Sequence, residues 1–169
     1  LKWLCESQVF ACIPVQGSIA FADVAEMAGV TDLHLYRAVR MVATIGFLHE
    51  PQPDRIAHTA LSLPLVEDLT VFDSIMFLLQ TVLPSALQMT TAIERQSHPD
   101  GPASSAYCVA FDTSQPFQEA CMEGRKLRRE WMCYKQHALS LDETLSEALL
   151  RQDWRVLGNA IVVDVSAIH

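Results

Sequence analysis

The sequence predicts a mainly α protein: a winged-helix N-terminal domain, then long helices, then one buried strand near the end. Three observations carry this. Residues 2–45 hold three segments with apolar side chains at helical spacing, parted by Pro14 and Gly29 and closed by Gly46. Residues 46–58 read as strand, proline-bearing turn and strand, which after a helix-turn-helix spells a winged helix. The run Ile161-Val162-Val163 is continuously β-branched, as in strands of parallel sheets that are covered on both faces.

The elements follow in order. Lys2 to Ile13 is expected as a first helix, with Trp3, Leu4, Val9, Phe10 and Ile13 apolar and Pro14 closing it. Gly17 turns the chain, and Ile19 starts a very short strand. Phe21, Val24, Ala25 and Ala28 give a second helix stopped by Gly29. Thr31 is the expected N-cap of a third, its hydroxyl accepting from a free backbone amide, with Asp32 at the positive helix end. That helix turns Leu35, Val39, Val42 and Ile45 inward, with Gly46 as C-cap. In the hairpin, Pro51-Gln52-Pro53-Asp54 is the turn, and Thr59 caps a short helix leading to Pro64. Residues 70–96 are the most apolar stretch. Phe72, Ile75, Met76, Leu79, Leu83, Leu87 and Ala92 recur at helical spacing, and Pro84 should kink or split the helix. Ser97–Pro102 is a loop, and Thr113-Ser114-Gln115-Pro116 starts another helix. Leu127, Trp131, Tyr134 and Ala138 share one face of the next, and Leu141–Leu150 forms one more. The domains expected are a winged-helix dimerisation domain at 1–66, a helical linker and dimerisation region at 67–157, and the start of a truncated domain at 158–169, so the chain reads as part of a longer protein.

Composition excludes several classes. Half of the 169 residues are hydrophobic, with only 6 Gly and 8 Pro, which removes low-complexity disorder. No uninterrupted run reaches the ~18 apolar residues of a membrane span, because Asp73, Gln80, Pro84 and Gln88 break the best candidate. No signal peptide opens the chain, so secretion is not expected. Twelve Lys and Arg face 20 Asp and Glu, a net charge of −8 that argues against a broad phosphate-binding surface. Arg125, Lys126, Arg128 and Arg129 form the one basic patch. The five cysteines are odd in number and lack a CxxC pair, so free thiols in a reducing compartment are expected, not a disulfide framework or zinc ribbon. The six histidines show no HxxxH or HxH spacing, and no metal site is expected.

The order of parts resembles a known family. A winged helix, long helices and the lead-in Trp154-Arg155-Val156-Leu157-Gly158-Asn159-Ala160 before Ile161–Val165 are similar to the S-adenosylmethionine-dependent O-methyltransferases of plants and fungi. The resemblance covers essentially the whole chain but only the N-terminal half of a family member. It implies that the winged helix dimerises and that Val162–Val165 is the first strand of a Rossmann-like domain. After that strand the family carries glycines, whose missing Cβ lets the backbone approach the cofactor. Here Ser166 and Ala167 stand instead, and Asp164 is the residue that would support the loop. The segments "FADVAEMAGV", "GFLHEPQP", "AHTALS", "SAYCVAF" and "QDWRVLGNA" resemble a narrower group. These are the methyltransferase-like transcription coactivators of aflatoxin- and anthraquinone-type polyketide clusters, which act beside a zinc-cluster activator.

That resemblance implies a pseudoenzyme regulator: a homodimer, nuclear or cytoplasmic, without catalytic residues and without a cofactor in this chain. S-adenosylmethionine enters only with a downstream catalytic domain. The rival reading is the N-terminal part of a working O-methyltransferase for an aromatic polyketide hydroxyl, with Met76, Met89 and Met122 as candidates to line an acceptor pocket or, more simply, to pack the core. A third reading has Arg37 and Arg40 of the third helix touch DNA, although two cations make a thin phosphate footprint. The basic patch is a partner-binding candidate or the wet face of an amphipathic helix, with Glu123 and Glu130 as local partners. His58 is expected to satisfy the hairpin, and Cys108, Cys121 and Cys133 to be buried filler.

Overall fold

A computed structural model describes residues 1–96, 105–141, 147, 150–151 and 153–158. It divides into two compact units, Leu1–His137 and Ala138–His169. Most of the helix expected at 141–150, the loop at 97–102 and the strand at 160–165 lie outside the described residues.

The first unit opens with α1, Lys2–Glu6. The single helix expected to Ile13 is broken instead: Gln8 adopts φ 54°, and Phe10–Cys12 continues as a 3₁₀ turn. The break lets Leu4, Cys5, Val9, Phe10 and Ile13 all reach one core, which a straight helix would spread around its axis. Strand β1 is Ile19–Ala20, and α2 runs Phe21–Ala28. Gly29 ends it at φ 64°, the left-handed conformation that closes a helix without a Cβ penalty.

Helix α3, Asp32–Ala43, buries Leu35, Val39 and Val42 as its spacing predicts, but Ile45 lies beyond its end and is exposed. Thr31 holds the N-cap backbone position without the expected bond to an amide. Its hydroxyl pairs with His34 Nδ1 at 2.8 Å, one helical turn on. The C-cap is Thr44, with Gly46 (φ 80°) turning the chain two residues later.

Strands β2, Leu48–Gln52, and β3, Arg55–His58, pair antiparallel, and β1 adds to β3, giving the order β1-β3-β2. The expected four-residue turn is shorter, because Pro51 lies inside β2. It sits where the register slips between His49 and Gln52, an irregularity that tolerates its missing N–H. Asp54 makes the turn at φ 58°. Thr59 makes the expected cap, its hydroxyl accepting from the Leu61 amide at 3.2 Å and its carbonyl from the Ser62 and Leu63 amides, but the segment it caps is a turn and not a helix. The same hydroxyl ties back to the Gly46 and Phe47 carbonyls at 2.6 and 3.2 Å, and α4, Pro64–Glu67, begins at the proline.

Helix α5 spans Leu69–Phe77, capped by the Asp68 carboxylate, which accepts from Thr70 N–H at 2.8 Å. A π-helical segment at Leu78–Val82 follows, then α6, Leu83–Leu87, and α7, Met89–Gln96. Pro84 therefore sits in the first turn of α6, and the widened turn before it absorbs the ring that would otherwise strike the preceding carbonyls. Met76 joins the core built by residues 4–65. Against expectation Leu83 and Leu87 are exposed, while Phe77, Asp73 and Ser74 are buried. Among the described residues, Leu69–Leu87 alone has the length and mean hydropathy (1.4) of a membrane span. Its buried Asp73 is in an ion pair, as suits a packed helix.

Helices α8, Ala106–Phe111, and α9, Phe117–Glu123, precede α10, Arg125–Leu141. Ser105 caps α8 through the Cys108 amide, and Pro116 occupies the N-cap of α9, where the sequence predicts a helix start. In the second unit Trp154–Leu157 forms a 3₁₀ turn capped by Asp153, whose carboxylate accepts from the Arg155 amide and guanidinium.

Candidate functional site

The first unit holds an aromatic cavity and a polar tie between α5 and α10. The cavity, about 310 Å³, lies between the Phe77–Met89 segment and helices α8 to α10. Phe77, Tyr107, Phe117, Trp131 and Tyr134 supply its rings, with Thr81, Ser85 and Met89 alongside. The Phe77 ring centroid lies 5.2 Å from both Trp131 and Tyr134 and 6.0 Å from Phe117, while Phe117 meets Trp131 edge-on at 5.4 Å. These are the tilted and T-shaped arrangements that ring quadrupoles favour. Such a space suits a flat, largely apolar molecule with few polar contacts.

The polar tie fixes α10 against α5. Arg129 donates to both Asp73 carboxylate oxygens, from Nε at 2.7 Å and from a terminal nitrogen at 2.9 Å. Asp73 is only 3% exposed, and the fork satisfies both its oxygens. The bond also raises the affinity of Arg129 for its proton. Lys126 reaches Gln80 at 2.8 Å and Glu130 at 3.5 Å; burial pushes the Glu130 carboxyl up, and Lys126 opposes that. Ser74 and His137 approach to 3.3 Å, but the Ser74 hydroxyl donates to the Thr70 carbonyl, so the pair is not arranged as nucleophile and base.

The basic patch therefore splits. Lys126 and Arg129 turn toward α5 and the π segment, and Arg125 and Arg128 are exposed. The expected partners are half corrected: Glu130 serves Lys126, but Glu123 accepts from Gln115, and Arg129 finds Asp73 across 56 positions. Arg37 is exposed, whereas Arg40 bonds Glu50 at 3.3 Å and lies over the Tyr36 ring at 4.1 Å. Asp164, Ser166 and Ala167 lie outside the described residues.

His58 is structural, as expected. Its Nε2 faces the Phe10 and Ile13 carbonyls at 3.2 and 3.3 Å, and its Nδ1 pairs with the Ser62 hydroxyl at 2.9 Å. Burial holds its pKa below the ordinary histidine value. All five cysteines are free, with Cys5, Cys108 and Cys121 buried. Among the described residues no cluster of His, Cys, Asp and Glu has metal-binding geometry. Of the three candidate methionines, Met76 packs in the core, Met89 is exposed at the cavity, and Met122 is exposed outside its lining. Sequence spacing selected Trp131 and Tyr134 but missed Phe77, Tyr107 and Phe117. The available signal was the density of aromatic residues between 107 and 134.

Comparison with known proteins confirms the resemblance. The chain is 53% identical over 167 residues to the cladofulvin cluster transcriptional coactivator of Passalora fulva, covering 99% of this chain and 41% of that protein. It is 44% identical to the monodictyphenone cluster transcriptional coactivator of Emericella nidulans, covering 99% of this chain and 35% of that one. To the aflatoxin cluster transcriptional coactivator of Aspergillus flavus it is 39% identical, covering 99% and 38%. The chain thus spans less than half the length of these relatives. Among solved structures it superposes on the mitomycin 7-O-methyltransferase MmcR with TM-score 0.62 and 22% identity, over 79% of this chain and 38% of that one. OxaC, solved with SAH and oxaline, gives TM-score 0.67 at 17% identity, over 79% and 35%. The fold is that of part of these methyltransferases: mainly helical, with a small three-stranded sheet. No protein-family model matches the chain.

Proposed function

We propose that this chain is the dimerising part of a methyltransferase-like transcription coactivator of a fungal aromatic polyketide cluster, acting beside a zinc-cluster activator in the nucleus. The carrying observation is the 53% identity, along 99% of the chain, to a cluster transcriptional coactivator. Ser166 and Ala167 support it, because side chains stand where the enzymes need bare backbone against S-adenosylmethionine. Residues 1–66 act as a winged helix turned from DNA reading to self-association. Met27, Met41, Ile45 and Leu61 are large apolar side chains left exposed there, as an interface between copies requires. Arg125 and Arg128 remain available to an acidic partner.

The test is transcriptional. Deleting the gene should silence the neighbouring biosynthetic genes, and a copy altered only at the Asp164–Ala167 loop should restore them. Normal transcripts after deletion overturn the regulator reading. Tight calorimetric binding of S-adenosylmethionine to the longer natural protein overturns the pseudoenzyme reading. Light scattering of this chain should give twice the monomer mass.

The aromatic cavity favours a second reading, in which the chain belongs to an O-methyltransferase acting on an aromatic hydroxyl. It supplies stacking walls but, among the described residues, no base for the phenol. Methyl transfer from S-adenosylmethionine to an aromatic hydroxyl by the longer protein would establish this reading, and its absence would exclude it.

A further inference from the structure

A second cleft, about 550 Å³, opens where the start of α2, the first turns of α3 and the β2–β3 turn come together. Its lining is Ala20, Phe21, Ala22, Asp32, Leu33, Tyr36 and Asp54. Phe21 and Tyr36 lie ring against ring at 4.8 Å, and Leu33 beside them is 57% exposed. Asp54 is fixed through its backbone: its N–H donates to Glu50 Oε1 at 2.8 Å, and its carbonyl accepts from Phe21 N–H at 3.1 Å. The exposed carboxylates of Asp32 and Asp54 have no hydrogen bond or ion pair among the described residues. Of the nearby cations, Arg40 is matched by Glu50, and the Arg55 guanidinium donates to the Ser18 hydroxyl and carbonyl.

In a DNA-reading winged helix this combination of third helix and hairpin turn faces phosphates. Here the same place presents two carboxylates and an apolar floor, so it repels phosphate and favours cations. We propose that this cleft docks a protein segment in which a large apolar side chain is flanked by Lys or Arg. The apolar side chain enters against Phe21, Leu33 and Tyr36, and the flanking cations meet Asp32 and Asp54. A second copy of this chain offers only Arg125 and Arg128 from its densest basic stretch, because Lys126 and Arg129 are held on its own helices. Self-association detected by light scattering at the titration concentrations, lost in Asp32→Asn with Asp54→Asn, would overturn the choice of a foreign segment. The proposal rests on the regulator reading and deepens it: a coactivator's partner grips DNA and therefore carries basic segments.

The test is an anisotropy titration of the intact chain with a fluorescent peptide of about 15 residues, alternating pairs of Leu and Lys, at physiological salt. Asp32→Asn with Asp54→Asn should weaken binding about tenfold, the combined effect of two partly screened charge contacts. Glu94→Gln with Glu119→Gln removes the same net charge elsewhere and should change binding less than twofold. Leu33→Ser should weaken it at least fivefold, with circular dichroism confirming the fold of each variant. The proposal is overturned if the peptide does not bind, if both charge pairs weaken it equally, or if duplex DNA of about 20 base pairs competes for this face. None of these readouts uses cluster transcription, so failure here is distinguishable from failure of the regulator reading.

Discussion

Replacing Phe77 by Ala should destabilise the first unit heavily. Phe77 is buried to 3% exposure at the end of α5, and its ring meets Phe117, Trp131 and Tyr134. Truncating a buried Phe costs about 3–5 kcal/mol, part transfer free energy and part residual cavity. The upper half of that range applies, because the lost ring opens into a cavity of about 310 Å³ that the neighbours already fail to fill. For a chain of this size about 2–4 °C accompanies each kcal/mol, so the melting midpoint should fall by roughly 8–20 °C. Phe77→Leu keeps most of the volume and should lose only about 1–2 kcal/mol. Urea unfolding followed by far-ultraviolet circular dichroism gives both values. A loss below about 1.5 kcal/mol for Phe77→Ala would refute the assignment of this ring as a wall shared by core and cavity.

Three further outcomes follow from the geometry. Burial depresses the His58 pKa, so the folded chain binds less proton than the unfolded one below the free-histidine value of about 6.5. The stability from neutral His58 is therefore complete above that pH and lost as pH falls through the depressed folded value; urea midpoints between pH 7.5 and 5.5 should drop more for the wild type than for His58→Gln. Gly29→Ala meets no atom within 4 Å but forces φ 64° on an L side chain, so thermal unfolding should show a loss of about 1 kcal/mol, and less for Gly29→Asn. Burial pushes the Cys5 thiol up to about 11, so iodoacetamide at pH 8 should modify half-buried Cys12 before Cys5, and peptide mass mapping should find that order abolished in urea.

What the sequence made legible was local. Helices α2 and α3 follow from their spacing and from Gly29, because i, i+3 and i+4 positions share a face in any helix. The break at Gln8 was not legible, since neither glycine nor proline marks it and its cause is the shared core of Leu4, Phe10 and Ile13. Asp73 read as an interruption of an apolar stretch. It is buried because Arg129, 56 positions away, supplies a fork for both oxygens, and no local pattern contains that partner. Leu83 and Leu87 carried the periodicity of a core face, but spacing reports which residues share a side and not whether that side is covered. The cavity was hidden for the same reason: Phe77, Phe117 and Trp131 come from three helices and converge only in three dimensions.

The aromatic wall and the glycine loop carry unequal weight in choosing between regulator and enzyme. Phe77 is core as well as cavity lining, and Trp131, Tyr134 and Phe117 each lie against it or one another. Removing any of them damages packing, so selection for a folded scaffold preserves the wall whether or not a molecule enters it. On the proposed reading, Asp164, Ser166 and Ala167 stand where the enzymes carry their cofactor loop and are under the opposite constraint. Bare backbone at a cofactor loop serves the ligand, and once binding ceases to matter glycine there only adds conformational entropy to the unfolded chain. A scaffold that abandons catalysis therefore registers the loss first at the loop and last at the wall. A sequence with Ser166 and Ala167 at those positions and an aromatic wall kept in its first unit is the combination that the proposed pseudoenzyme reading expects.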